Sequence, residues 1–201
     1  MQAYLTLIRR ELSAYFLSMT GYVIAAAALF MMGLSFVVLI EKLQQEPTPM
    51  PVTELFYITP FFWLILLMAA PMITMRLFAH EKFSGTFETL MTAPISDMVV
   101  VLAKFTAALV FWLIMWVPLL GCLLVVQRYT SGGAAIDTGA VGGAMLGVLL
   151  LGCVFLSLGC CASAMTRYQV TAAMISLVFG ASLFLVGVLA DKIPVTATWQ
   201  G

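Results

Sequence analysis

Five long stretches without a charged residue constrain the fold of this 201-residue chain more than any other feature. No Asp, Glu, Lys or Arg occurs in residues 12–40, 55–75, 105–127, 138–166 and 168–190. Each stretch reaches the roughly 20 apolar residues that a helix needs to cross about 30 Å of hydrocarbon. Transmembrane β-strands are excluded because they are about 10 residues long and alternate in polarity. The sequence therefore predicts an all-α integral membrane protein.

A single transmembrane domain is expected, with an amphipathic helix before the first span. In residues 3–17, Leu5, Ile8 and Leu12 recur at helical spacing, whereas Arg9 and Arg10 lie mostly on the other side. A basic amphipathic helix suits the headgroup plane of a membrane, and a simple extension of the first span is the alternative. The five spans are predicted at about residues 22–40, 55–75, 99–126, 139–165 and 170–190.

The distribution of Lys and Arg between the loops predicts the orientation of the chain. Positively charged residues are retained on the cytoplasmic side of a membrane. One side receives six of the nine Lys and Arg residues, and the other receives Lys42, Arg128 and Lys192. The N-terminus and the loop that follows the second span should therefore be cytoplasmic.

The polar groups that most transport and catalytic mechanisms need are missing from the spans. If Lys104 is assigned to the loop before the third span, the interiors of the five spans contain no acidic residue, no basic residue and no histidine. Proton coupling is therefore disfavoured, and a sodium-coupled carrier that binds its ion through backbone carbonyls is a minor alternative. The chain has one histidine, which lies in the loop after the second span, and four cysteines, which lie inside the spans. This set of residues indicates no catalytic or metal site. No basic patch for nucleic acid and no phosphate-binding loop occurs, so energy from ATP must come from a partner.

Small residues at helical spacing open the fourth span. Gly139, Gly143 and Gly147 recur every four residues, and Gly159 and Ser163 repeat the spacing later. Because such positions let two helix backbones approach closely, they predict a helix–helix contact, within the chain or between subunits.

The polar chemistry of the chain is concentrated in one loop, residues 76–98. The segment 76–104 holds three of the nine basic residues, three of the nine acidic residues and the only histidine. The second helix is expected to continue into the cytoplasm until Ser84 and Gly85 break it. A short amphipathic helix over Thr86–Met91 should follow, and Ser96 is suited to cap the third span. The loop could rest on the membrane or dock a partner.

The sequence of residues 80–105, HEKFSGTFETLMTAPISDMVVVLAKF, resembles the first cytoplasmic loop of ABC-2-type transporter permeases. The opening segment RRELSAYFLSMTGYV is also similar to theirs, where an interfacial helix leads into the first span. Within this family the chain looks most like gliding-motility-associated and copper-processing permeases. The family usually has six spans, so a chain with five is expected to lack the sixth.

The resemblance implies a permease subunit of an ATP-driven transporter, an exporter in the inner membrane of a prokaryote. The chain would not be an enzyme by itself and would hold no cofactor, since ATP and Mg would bind a separate ATP-binding subunit. Other partners would be a second copy or a related permease, and membrane lipid. The loop would be the coupling helix, which contacts the ATP-binding subunit through Glu81, Phe83, Gly85, Thr86, Phe87, Glu88 and Leu90. A non-transporting scaffold that anchors a cytoplasmic protein is the alternative function.

Overall fold

The computed structural model describes residues 2–45, 60–86, 96–129 and 138–192, and this part of the chain is helical without a strand. Its helices are α1 (Gln2–Phe16), α2 (Met19–Gln45), α3 (Pro60–Thr74), α4 (Ala79–Ser84), α5 (Asp97–Tyr129), α6 (Thr138–Met165) and α7 (Gln169–Lys192). Five segments are long and apolar enough to cross a membrane: α2, α3 together with α4, α5, α6 and α7. The predicted all-α class, with an N-terminal helix and five spans, is confirmed.

The N-terminal helix is separate from the first span. A turn at Leu17 and Ser18 divides α1 from α2, and the Ser18 hydroxyl accepts a hydrogen bond from the Gly21 amide at 3.1 Å. This cap begins α2 slightly earlier than the sequence suggested. The helix α1 packs mainly on α5, where the Tyr4 and Thr106 hydroxyls are 2.8 Å apart. The interpretation of α1 as an extension of the first span is therefore wrong.

The central helix of the bundle is α3. It contacts α2, α5, α6 and α7, and its side chains Phe62, Leu66 and Ile73 are buried. A helix that is apolar on every side is suited to such a position because no face of it needs water. Trp112 of α5 is fully buried, and its indole nitrogen donates to the carbonyl of Val148 on α6 at 3.2 Å.

Close helix contacts occur at the small residues in the second half of α6. A Cβ added at Gly152 would overlap the Trp112 indole, and one added at Gly159 would overlap the Thr74 hydroxyl. The predicted close packing at Gly159 is therefore confirmed. Gly143 is different: it is exposed, and a Cβ there would meet nothing within 4 Å among the described residues.

The second span does not continue straight into the following loop. The helix α3 ends at Thr74, residues 75–78 form a turn, and α4 begins at Ala79. The buried hydroxyl of Ser163, on α6, accepts hydrogen bonds from the Phe78 and Ala79 amides, both at 3.1 Å. It also donates to the Met75 carbonyl at 3.3 Å. The expected unbroken helix is thus wrong at 75–78, because a distant side chain satisfies the backbone groups that the break leaves open.

Candidate functional site

Several polar and charged residues of the described segments meet at one end of the bundle, which we call the loop end. It comprises α1, residues 75–86, the start of α5 and the turn between α6 and α7. The helix α4 contacts both α6 and α7. The Lys82 ammonium donates to the Ala164 carbonyl, and the amide of Gln169 lies 2.8 Å from Nδ1 of His80. The beginning of the 76–98 loop is therefore held against two spans.

Four charged side chains form an ionic cluster at the loop end: Arg10, Glu11, Glu81 and Lys104. The Lys104 Nζ lies 2.8 Å from Oε1 of Glu81 and 3.1 Å from Oε1 of Glu11. Nη2 of Arg10 contacts the same two oxygens, at 3.1 Å and 2.8 Å respectively. Each carboxylate is therefore shared by two cations, and the cluster joins α1, α4 and α5.

The members of the ionic cluster differ in how much water reaches them. The side chain of Lys104 is 3 % exposed, those of Glu11 and Glu81 are 13 % and 15 % exposed, and that of Arg10 is 53 % exposed. A buried charge that loses its partner is strongly destabilising, whereas an exposed pair contributes little. Lys104 is therefore the structural centre of the cluster.

Three further features describe the environment of the ionic cluster. The ammonium of Lys104 lies 5.6 Å from the centre of the Phe78 ring, within the range of a cation–π interaction. The Glu11 hydrogen bond is the main cause that raises the pKa of Arg10 above its ordinary value, so Arg10 stays charged. The second oxygen of Glu81, Oε2, is buried and has no hydrogen-bond partner in the described part of the chain.

Tyr15 fastens α1 to the end of α3. Its hydroxyl donates to the Ile73 carbonyl at 2.9 Å, and its ring stacks on Phe111 with the centroids 4.9 Å apart. The last carbonyls of a helix lack partners inside that helix, so the Tyr15 hydroxyl satisfies a group that would otherwise be buried and unpaired. Burial raises the pKa of Tyr15 above its ordinary range, which keeps the hydroxyl protonated as a donor.

A cavity of about 690 Å³ lies between α1 and α4 beside the ionic cluster. Its wall includes charged groups of both signs. Charged and polar side chains make up most of the lining: Arg10, Glu11, Tyr15, Arg76, His80, Glu81, Ser84, Thr86 and Lys104. Within the described ranges, no group of His, Cys, Asp and Glu could hold a metal ion.

The residues predicted to contact an ATP-binding subunit fall into different positions. Glu81 faces inward to the ionic cluster, whereas Phe83 is 68 % exposed, with its ring 6.2 Å from that of Tyr168. Gly85 ends α4 in the left-handed conformation, with φ of 74°, which confirms the predicted break. Thr86 is exposed, and its hydroxyl is 2.8 Å from that of Ser84.

The remaining predicted residues could be compared with the structure only in part. Phe87, Glu88 and Leu90 lie outside the described residues, as does most of the expected helix over 86–91. Gly139 and Gly143 are exposed and Gly147 is half-buried. Contact with an ATP-binding subunit and helix packing through these three glycines both stay predictions.

The sequence interpretation missed the ionic cluster because it treated Lys104 as a loop residue. Lys104 is seven residues into α5, about 10 Å along the helix axis from Asp97. A charged residue at such a depth almost always has a partner. Ser96 and Asp97 mark the start of α5 in the sequence, so this depth could have been inferred; the identity of the partners, Glu11 and Glu81, could not.

The fold and its loop end define a polytopic helical membrane protein with one polar, ionically linked end. The sequence model of the ABC-2 family of transporter proteins matches residues 12–198. The chain therefore belongs to the ABC-2 transporter family, and it is a permease-type membrane component of such a transporter. The resemblance stated from the 80–105 loop is confirmed at the level of this family. No curated protein and no solved structure matches the chain.

Proposed function

We propose that this chain is the permease subunit of an ATP-driven exporter and that a separate ATP-binding subunit drives it through residues 76–98. ATP and Mg would bind that subunit. The complex would lie in the inner membrane of a prokaryote, with the loop end in the cytoplasm. Family membership supports the permease role, and the direction of transport and the coupling are the proposed parts.

The ionic cluster is the structural observation that supports the proposed coupling. Glu81 belongs to the first turn of α4, and it is joined to α5 through Lys104 and to α1 through Arg10. The Ser163 hydroxyl binds the backbone just before α4 and so adds α6. A displacement applied to the loop is therefore passed to α1, α5 and α6 together, because buried ion pairs and hydrogen bonds resist separation.

The contact surface for the ATP-binding subunit would lie on the exposed residues of the loop that follow Glu81. Phe83 and Thr86 are exposed. With Phe87, Glu88 and Leu90 they would combine apolar anchors with a polar rim, the usual composition of a protein interface. Glu81 would then act as a positioning residue inside the permease, in addition to its predicted contact with the ATP-binding subunit.

A second permease chain, identical or related, would complete the transporter. Gly143 supports this part of the proposal, since it is exposed and a Cβ added there would meet no described atom within 4 Å. Close helix approach at small residues is a common way for membrane helices to associate. The substrate path would then lie between the two permeases.

Co-purification from the native host tests the proposal. Tagged full-length protein should retain a nucleotide-hydrolysing subunit, and the double substitution Phe87→Ala with Glu88→Lys should release it. The matched control is Leu5→Ala, since Leu5 is an exposed apolar residue of α1 outside residues 76–98. Absence of any ATPase from the wild-type complex would contradict the proposal. Retention of a partner without ATP hydrolysis would favour the scaffold function instead.

A further inference from the structure

We propose that the chain binds one phospholipid at the loop end, with its phosphate on Arg76 and one acyl chain in a groove between α2 and α3. This inference is independent of the direction of transport and of the identity of the ATP-binding subunit. It rests on two neighbouring features. Arg76 has no carboxylate partner among the described residues, and an apolar groove begins one helical turn away.

Among the described residues, the partners of Arg76 are two hydroxyl groups. Its Nη1 donates to the Ser18 hydroxyl at 3.2 Å and to the Thr20 hydroxyl, at the start of α2. In the part of the chain that the structure describes, the ion pairs involve Arg10 and Lys104, and none involves Arg76. A guanidinium group has five donors, so donors of Arg76 remain for an anion. A phosphate fits this geometry because arginine binds it through parallel, charge-assisted hydrogen bonds.

The groove between α2 and α3 has a wholly apolar lining and a volume of about 240 Å³. On α2 it extends from Ile24 to Met31, about 10 Å along the helix axis, and on α3 it extends from Leu64 to Met72. Half of the hydrocarbon core is about 15 Å thick, so the groove lies within one leaflet. Its contents must be apolar, since a polar group placed there would be left unpaired.

The two features are adjacent and in the right order for one lipid molecule. Ile24 is one turn beyond Thr20 on the same face of α2, about 6 Å along the axis. Arg76 contacts Thr20 directly, so the guanidinium group is at the headgroup end of the groove. If the loop end is cytoplasmic, this leaflet also carries the anionic lipids. A second protein helix would fill the groove equally well but would not supply the phosphate.

Native mass spectrometry of the full-length protein tests the proposal. Protein purified in a mild detergent is incubated with palmitoyl-oleoyl phosphatidylglycerol, and the retained lipid is counted for each variant. We expect one retained lipid for each chain of the wild type. Arg76→Gln should reduce the occupancy roughly tenfold, since hydrogen bonds to a charged group are lost. Ala27→Phe should do the same, because Ala27 is an exposed residue that lines the groove and the larger ring would fill it.

Two matched controls separate this site from general effects on the membrane surface. Arg9→Gln removes an exposed positive charge from α1, and Ala26→Phe adds the same ring to the exposed neighbour of Ala27 that does not line the groove. Both should keep the wild-type occupancy. Met68→Trp fills the groove from α3 and replaces Ala27→Phe if that variant elutes as an aggregate.

Several results would overturn the proposal. A wild type that retains no lipid, or an equal loss in the controls, would show that no specific site exists. Loss with only one of Arg76→Gln and Ala27→Phe would show that the phosphate and the acyl chain do not share this site. A dimer that Ala27→Phe abolishes while the lipid remains would show that a second chain occupies the groove.

Discussion

Removal of the buried charge at the centre of the ionic cluster should destabilise the protein far more than removal of the exposed one. The substitution Lys104→Met preserves much of the side-chain length but leaves Glu11 and Glu81 with Arg10 as their remaining cation. Breaking a buried pair in this way costs about 3–5 kcal/mol. For a chain of this size the melting temperature should fall by roughly 6–20 °C, since 1 kcal/mol corresponds to about 2–4 °C.

The matched control is Arg10→Gln, which removes the other cation from the same two carboxylates. The Arg10 side chain is 53 % exposed, so water screens its charge and the loss should be at most about 1 kcal/mol. Thermal unfolding of the detergent-purified proteins, followed by tryptophan fluorescence and by circular dichroism, gives both melting temperatures at the same scan rate. Equal shifts for the two variants would refute the assignment of Lys104 as the centre of the cluster.

Three other changes at helix contacts have predicted outcomes in the same unfolding assay. Tyr15→Phe leaves the Ile73 carbonyl unpaired and should cost about 1–3 kcal/mol; an unchanged melting temperature would contradict the role given to this hydroxyl. Ser163→Ala leaves two amides and a carbonyl at the break after α3 without their partner, so it should be more destabilising than Tyr15→Phe. Amide hydrogen exchange at residues 75–79 should also become faster. Gly152→Ala should be destabilising by about 1–3 kcal/mol because the added methyl group overlaps Trp112. Gly143→Ala should leave the melting temperature unchanged and alter only the self-association of the chain in cross-linking experiments.

The membrane class and the number of spans could be predicted because they depend on local properties. The charge-free stretches determine where a helix can be surrounded by lipid, whatever its neighbours are. The same holds for the end of α4, since Gly85 adopts a left-handed conformation that other residues avoid.

Features that depend on contacts between distant residues could not be predicted. No Gly or Pro occurs at residues 75–78, and the break after α3 is stabilised by Ser163 from another helix. For Glu81, the sequence predicted only a contact with the ATP-binding subunit. Its partner Lys104 is 23 residues away in sequence, and only the packing of α1, α4 and α5 brings the four charges together.

The coupling claim is tested most directly by the ATPase activity of the reconstituted complex. The double substitution Lys104→Met with Glu11→Gln removes one positive and one negative charge from the cluster, breaks the link from Glu81 to Lys104 and leaves Arg10 paired with Glu81. Neither residue belongs to the predicted contact set, so the variant should still fold and still bind the ATP-binding subunit. We predict that the permease then loses most of its effect on ATP hydrolysis in proteoliposomes, while Arg10→Gln keeps it. Normal binding together with a wild-type effect on ATP hydrolysis in the double variant would contradict the account.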